Sequence, residues 1–450
     1  MFASAIARYH DGLAHGDIAV ASAELLERLL RSEGLFFGDR PLCGVLRPRL
    51  LTTGEYRHIA RACALVGGAF EAVRQAAMRD AALRAQFGLT AWEEQIIHDD
   101  PGFPVASPTS RLDAFFASGE DGLKFTEYNA ETPAGAAYND ALARVMLALP
   151  AMHIFSRSHA VLPIPAAPSV IHALLDAYLA FRGVRERPTI CILDWAEVPT
   201  RSEFVLFERE FAALGIDAFI GDPRDAEFRG GRLTVGGRAV QLIYKRVLID
   251  ELVTREGLES PVVQAVRARA VCMVNPFRCK LLHKKASLAV VSDERQAALL
   301  TPSQQAAVAA HVPWTRVVEE RTTTYQGETV DLLPFIAGRR VSMVLKPNDE
   351  YGGKGIVLGW TVDDATWQAA VRAALNEPFI VQERVEVPSE PWPAWVDGAL
   401  HIGDRMLDTA PFLVDGVLMS GCLTRIATDP LLNVTAGGGS NVPTFLVEER

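Results

Sequence analysis

The chain has 450 residues, 49% of them hydrophobic and 22% charged, with a formal net charge of −10. That length exceeds one compact core and predicts two or three packed subdomains of ordinary globular composition. The acidic balance speaks against nucleic-acid and anionic-membrane partners, so an anionic ligand has to be held by local cations.

No run of about 18 apolar residues predicts a membrane-spanning helix. The opening MFASAIARYHDGLAHGD lacks the basic and then apolar pattern of an export signal, so a reduced cytoplasmic setting is expected. The six cysteines form no C-x-x-C pair. They are expected to be small buried residues rather than zinc ligands or a disulfide framework.

Residues 1–105 read as mainly helical, because apolar residues recur at three- and four-residue steps in SAELLERLLRSEG and YRHIARACALVGGAFEAVRQAAM. Such a region reads as scaffold or substrate cover. Residues 106–150 hold two short runs around a polar, Gly-containing turn, the sign of a β-hairpin, followed by a helix in AAYNDALARVMLAL. LPIPAAP reads as a linker or crossing segment.

Residues 185–274 alternate strands (PTICILDW, DAFIGD, RAVQLIYKR) with a helix (FVLFEREFAALGI), which predicts a small parallel α/β unit. In residues 275–450, VSMVLKP and GIVLGW bracket a glycine-rich loop. A helix follows in TVDDATWQAAVRAAL, with Thr361 and Asp364 as its expected capping box, and then the strand FIVQERV. The fold class expected is α/β (α+β).

The sharpest chemical signal lies in the hairpin. Arg111 and Asp113 are two apart, as are Glu127 and Asn129, so each pair shares a strand face. If the hairpin folds symmetrically about Glu120, Asp113 lies opposite Glu127 and Arg111 opposite Asn129. Side chains so placed have Cβ atoms about 4.5–5.5 Å apart. Two carboxylates and an amide oxygen suit Mg²⁺, a hard cation that keeps waters and substrate phosphates in its shell. Arg111 can donate paired hydrogen bonds to a phosphate or acyl-phosphate oxygen. An exposed hairpin with ordinary surface charges is the plainer alternative.

KPNDEYGGKG ends a strand at Lys346 and carries Gly352, Gly353, Lys354 and Gly355. Glycines let backbone N–H groups approach phosphate oxygens, and the lysines add charge. The loop is neither a P-loop nor a dinucleotide fingerprint; a ligand-free hairpin turn is the alternative. One helix later, Gln382, Glu383, Arg384 and Val385 lie where a departing strand can offer hydrogen bonds to adenine or ribose. NPFRCKLLHKK holds Arg278, Lys280, Lys284 and Lys285, either facing phosphates or forming a solvated helix face. Arg425 and the glycines of AGGGSN, residues 436–441, can supply further donors.

Together these motifs resemble the ATP-grasp superfamily, and the R-x-D…E-x-N hairpin looks like the metal site of D-alanine–D-alanine ligase and its relatives. There the lysine loop and hinge precede the carboxylates. Here the carboxylates come first, an order similar to the circularly permuted ATP-grasp proteins, which include the glutathionylspermidine synthetase-like carboxylate–amine ligases. The likeness spans roughly residues 100–450.

The resemblance implies a circularly permuted ATP-grasp fold. Asp113, Glu127 and Asn129 would bind Mg²⁺. Lys346 and Lys354, with Lys285 behind them, would contact ATP phosphates across the loop of Gly352, Gly353 and Gly355. Gln382, Glu383, Arg384 and Val385 would form the adenine hinge, and Arg111 and Arg425 would face an acyl phosphate. Glu203 and Arg246 would belong to a substrate-side domain.

The implied activity is an ADP-forming amide ligation between a small-molecule or peptide carboxylate and an amine. An ATP-binding protein without ligase activity and a phosphotransferase are the alternatives. No G-x-S-x-G or paired Cys/His motif suggests a nucleophilic side chain.

Overall fold

The computed structural model describes residues 2–117, 119, 122–350, 353–428 and 439–450. Hydrophobic runs with a period of two become the strands of a nine-stranded, largely antiparallel sheet. In it, Thr109–Phe116 pairs on one side with Leu123–Asn129 and on the other with Ala410–Val414, which continues to Leu418–Ala427. The last strand, Ser440–Glu449, bonds to Leu418–Ala427, and also to Arg49–Leu51 and His159–Pro163. It therefore stitches the N-terminal region to the sheet.

The α/β unit has a four-stranded sheet in the order Cys272–Val274, Leu242–Lys245, Ile190–Leu193, Ala218–Gly221, with every pair parallel. Helices cover such sheets, which is why ICIL and LIYK are buried at every residue. A third, antiparallel sheet runs Thr315–Val317, Phe379–Glu383, Met343–Pro347, Val357–Leu358. The fully buried Trp367 on helix Asp364–Ala373 packs under it.

Residues 2–105 are mainly helical, but not only so. A two-residue hairpin joins Phe36–Phe37 to Arg40–Pro41, and Arg49–Leu51 enters the large sheet. Runs that short show no periodicity. Helix Thr53–Ala77, opened by a Thr52/Glu55 capping box, lies against the hairpin Thr109–Asn129; Phe70 meets Tyr128 at 4.7 Å between ring centroids.

Two local expectations are corrected. LPIPAAP is no free linker: Leu162 and Pro163 sit in a strand, and Ala167 and Pro168 open the helix Ala167–Arg182. The cap of helix Asp364–Ala373 is Asp363, whose carboxylate accepts from the Thr366 N–H at 2.8 Å, while the Thr361 hydroxyl donates to the Leu358 carbonyl. Asp363 is two residues closer to the helix and can reach its free N–H groups. All six cysteines are buried and free, and no helix among the described residues is long and apolar enough to cross a membrane.

A buried ion pair ties the α/β unit to the segment after the hairpin. Arg246 donates to Glu203 at 3.0 Å and to the Pro133 carbonyl at 3.1 Å. Glu203 also accepts from the Gly135 and Ala137 N–H groups. Gly135 is needed there: its φ is +106°, and a Cβ would meet Leu423 at 2.6 Å. Glu203→Gln leaves Arg246 buried without its counter-charge. It should lower the unfolding free energy by roughly 3–5 kcal/mol. Urea denaturation measures this, and a loss under about 1 kcal/mol would show that the pair ties nothing.

Candidate active site

The hairpin register places Asp113 opposite Glu127 and Arg111 opposite Asn129, as the alternation predicts. Just past this quartet the register shifts, with Ala114 facing Phe125. Thr126 is the extra residue of the resulting bulge, and its carbonyl accepts from Lys346 Nζ at 3.2 Å.

Asp113 is buried. Its carboxylate accepts from Arg111 Nε at 2.7 Å and Nη2 at 3.0 Å, from Arg425 Nη2 at 2.7 Å and from Asn129 Nδ2 at 3.0 Å. Burial alone would raise its pKa, but the guanidiniums of Arg111 and Arg425 outweigh that and hold it at about 2. Glu127 opens to the cavity and pairs with Lys285 Nζ at 3.1 Å. Its pKa is also lowered: Lys285 and Lys346 prevail over burial and the Asp113 charge.

Lys346, at the end of its strand, donates to Gln382 Oε1 at 2.7 Å. Removal from solvent and the neighbouring Lys285 charge lower its pKa to about 8, against the pull of Glu127 and Asp113. The Gln382 amide is thus held by Lys346 on one side and donates to Thr315 Oγ1 at 3.1 Å on the other, so its side chain orients the ammonium.

The loop beyond Lys346 has a fixed root. Asn348 accepts from the Lys285 and Ala286 N–H groups and donates to the Phe87 carbonyl. Gly353, at φ +79°, lines the cavity. Gly355 packs on Pro347. Lys354 is 77% exposed and pairs with Glu350 at 3.4 Å, so it stands outside the cavity wall. Gly352 lies outside the described residues, as does the first half of AGGGSN, residues 436–438.

These parts converge on a cavity of about 430 Å³. Arg111, Asp113, Glu127, Asn129 and Arg425 form its middle. Lys346, Gly353, Gln382, Glu383 and Val385 form one end, with an apolar slot of Val344, Leu358, Trp360 and Val387. Glu383 accepts from the Tyr325 hydroxyl at 2.7 Å. Arg384 turns away and stacks on Trp360 at 4.2 Å.

The basic segment is not the solvated helix face of the plainer reading, and only part of it faces the cavity acids. Lys280, Lys284 and Lys285 are buried rather than solvated. Lys280 and Lys284 are taken up by Asp349, Glu93 and Glu131, so only Lys285 reaches the carboxylate pair. Arg278 donates to the Asp99 carbonyl at 3.2 Å.

Two acids escape the sequence reading. Asp408, buried, accepts from the Arg425 backbone at 2.6 Å and from its guanidinium, and nothing in MLDTAP marks it. Glu131 continues the two-residue spacing of Glu127 and Asn129, the signal that would have found it.

Among the described residues no cluster of three or more His, Cys, Asp or Glu is arranged to hold a metal. The hairpin offers two carboxylates and an amide. So few hard oxygen donors suit an ion completed by waters and phosphates, and the set fits Mg²⁺ rather than Zn²⁺.

No family model matches the chain. A putative glutamate–cysteine ligase 2-3 of Frankia alni is 23% identical over 431 residues, covering 89% of this chain and 46% of that protein. The chain thus spans about half the length of the curated relative it matches. A glutathione synthetase-like effector (GSS30) from Globodera pallida, solved without ligand, superposes with a TM-score of 0.61 at 13% identity, over 96% of this chain and 98% of that one. D-alanyl-alanine synthetase A of Vibrio cholerae reaches only 0.27 at 10% identity, over 58% and 89%. The chain therefore has the mixed α/β fold of the effector.

Lys346 lines the cavity with its pKa brought down by burial to about 8, so its charge falls away at lower pH than an ordinary lysine's. An anion bound beside it should weaken as pH rises through that value and should take up protons on binding near it. Calorimetry with inorganic tripolyphosphate and Mg²⁺ at pH 7 and pH 9 measures both. Lys346→Met should abolish the difference, and an unchanged pH dependence in that variant would assign it elsewhere.

Proposed function

We propose that this protein joins a carboxylic acid to an amine with ATP, through an acyl phosphate, releasing ADP and phosphate. One observation carries the reading: an opposed pair of carboxylates shares a single cavity with a lysine-bearing, glycine-rich hairpin and an apolar slot. The ligase name of the curated relative supports it. The order along the chain, acids first and lysine loop after, supports the circularly permuted form and a kinship with glutathionylspermidine synthetase-like ligases.

Asp113, Glu127 and Asn129 would hold Mg²⁺, which neutralises phosphate charge when bound. Lys346 and the backbone at Gly353 hold the triphosphate, with Lys285 completing the positive side. The adenine lies in the slot beside Val385. Arg111 uses Nε and Nη2 on Asp113 and Nη1 on the Ala134 carbonyl, so it positions the acid and the loop. Arg425 engages Asp408 and Asp113 through Nε and Nη2, leaving its Nη1 edge for the acyl phosphate.

A carboxylate oxygen of the substrate attacks the γ-phosphorus and ADP leaves. The amine nitrogen then attacks the acyl carbon, the C–O bond to phosphate breaks, and the amine proton is lost. The protein contributes charge stabilisation and alignment, with no nucleophile of its own.

The direct test is Mg·ATP-dependent phosphate release against pooled amino acids, peptides and polyamines, with products read by mass spectrometry. Amide product with ADP is expected; ADP without an amine would point to a phosphotransferase. Glu127→Gln should lower turnover at least about 100-fold with far-UV circular dichroism and Tm little changed. Near-normal ADP formation by that variant would reject the site.

A further inference from the structure

We propose that the acid substrate carries an uncharged, aromatic or branched aliphatic group, read by Phe37 and Tyr138 at the end of the cavity opposite the adenine slot. This rests on the ligase reading above and adds the class of acid to it.

The topology marks that end. In the parallel sheet the chain leaves Ile190–Leu193 for Ala218–Gly221 on one side, then returns to Leu242–Lys245 on the other. Strand order reverses between Ile190–Leu193 and Leu242–Lys245. Ligands of open α/β sheets lie outside the carboxyl ends of the strands at such a point. Thr200 follows the first of these strands and Leu248 the second, each just before a helix, and both line the cavity.

The facing wall is made by Phe37, Tyr138, Leu423 and Asn441. The rings of Phe37 and Tyr138 meet edge to face, with centroids 5.9 Å apart. The Tyr138 hydroxyl lies 2.6 Å from Ser202 Oγ, so Tyr138 offers its ring rather than its oxygen. Phe37 is held in position from behind. Arg40 donates to the Gly439 carbonyl at 3.2 Å, and the Asn441 N–H donates to the Leu42 carbonyl at 2.8 Å.

Among the described residues, none of these six wall side chains is charged. Two buried cations of the α/β unit behind them already have counter-charges. Arg246 serves Glu203, Tyr244 and the Pro133 carbonyl, and Lys245 serves Glu131 and the Val247 carbonyl. Arg425, across from Asn441, is the nearby cation, and the acyl phosphate takes its remaining edge; a second carboxylate or an ammonium placed here would lose its water and gain no further counter-charge from these six side chains. An apolar group loses nothing and gains the Phe37 ring, which buried Tyr138 backs edge to face.

The test uses the full chain with Mg·ATP and hydroxylamine, which attacks an acyl phosphate to give a hydroxamate and free phosphate whatever the natural amine. The acids are phenylalanine, leucine and 3-phenylpropionate against glutamate, aspartate and succinate. Hydroxamate from the apolar set is expected, and Phe37→Ala should lower kcat/KM for it tenfold or more through KM, with the KM for ATP unchanged. Phe37→Leu should recover much of the loss and serves if the alanine variant does not fold.

Preference for the dicarboxylic acids, or no effect of either Phe37 variant, would overturn the proposal while leaving the ligase reading intact. No hydroxamate and no ADP from any acid, with Mg·ATP still bound, would remove both.

Discussion

Two carboxylates set opposite each other on one hairpin repel. At about 5 Å and an effective dielectric of about 20, that repulsion is roughly 3 kcal/mol. Asp113 and Glu127 are so placed, and the structure answers with cations from distant parts of the chain: Arg425 on Asp113, Lys285 on Glu127 and Lys346 beside both. The site exists only where the large antiparallel sheet, the basic segment and the four-stranded sheet that carries Lys346 and Gln382 meet. On the proposed reading, a divalent cation between the acids and a polyanion against the lysines would replace one set of neutralising contacts with another.

Behind that pair lies a second, mostly buried layer of charge. Lys280 and Lys284 lie between Asp349 at the root of the glycine-rich loop, Glu93 from the N-terminal region and Glu131 just after the hairpin. Buried ion pairs add little net stability but fix geometry strongly, since breaking one strands a charge. Their consequence here is positional: the loop leaves from an origin locked to the acidic hairpin, whatever its tip does.

Features governed by local periodicity were legible in the sequence. The facing of Asp113 and Glu127 follows from a two-residue repeat and a turn between them, and the parallel sheet from unbroken apolar runs such as ICIL. What escaped depends on partners far away in the chain. The burial of Lys284 requires Glu93 and Asp349, neither of which a basic run can announce. Lys354 looked like a phosphate ligand because of its glycines, yet its side chain reaches solvent. Asp408 has no pattern around it, since its role comes from pairing with Arg425 across two strands. The Phe36–Phe37 hairpin is too short to have a period, so the N-terminal region hid its contribution to the cavity.

The displaced register at Thr126 has an implication for how this hairpin can vary. One additional residue on the second strand absorbs a change of phase between the turn and the quartet, and it points a main-chain oxygen at Lys346. On the turn side, lengthening or shortening the connection can be accommodated without moving the acids off their common face. On the other side, a single inserted residue would swing Asn129 to the opposite surface of the sheet. Tolerance to change along this ribbon is therefore lopsided, with Thr126 as the boundary between a permissive tip and an intolerant base.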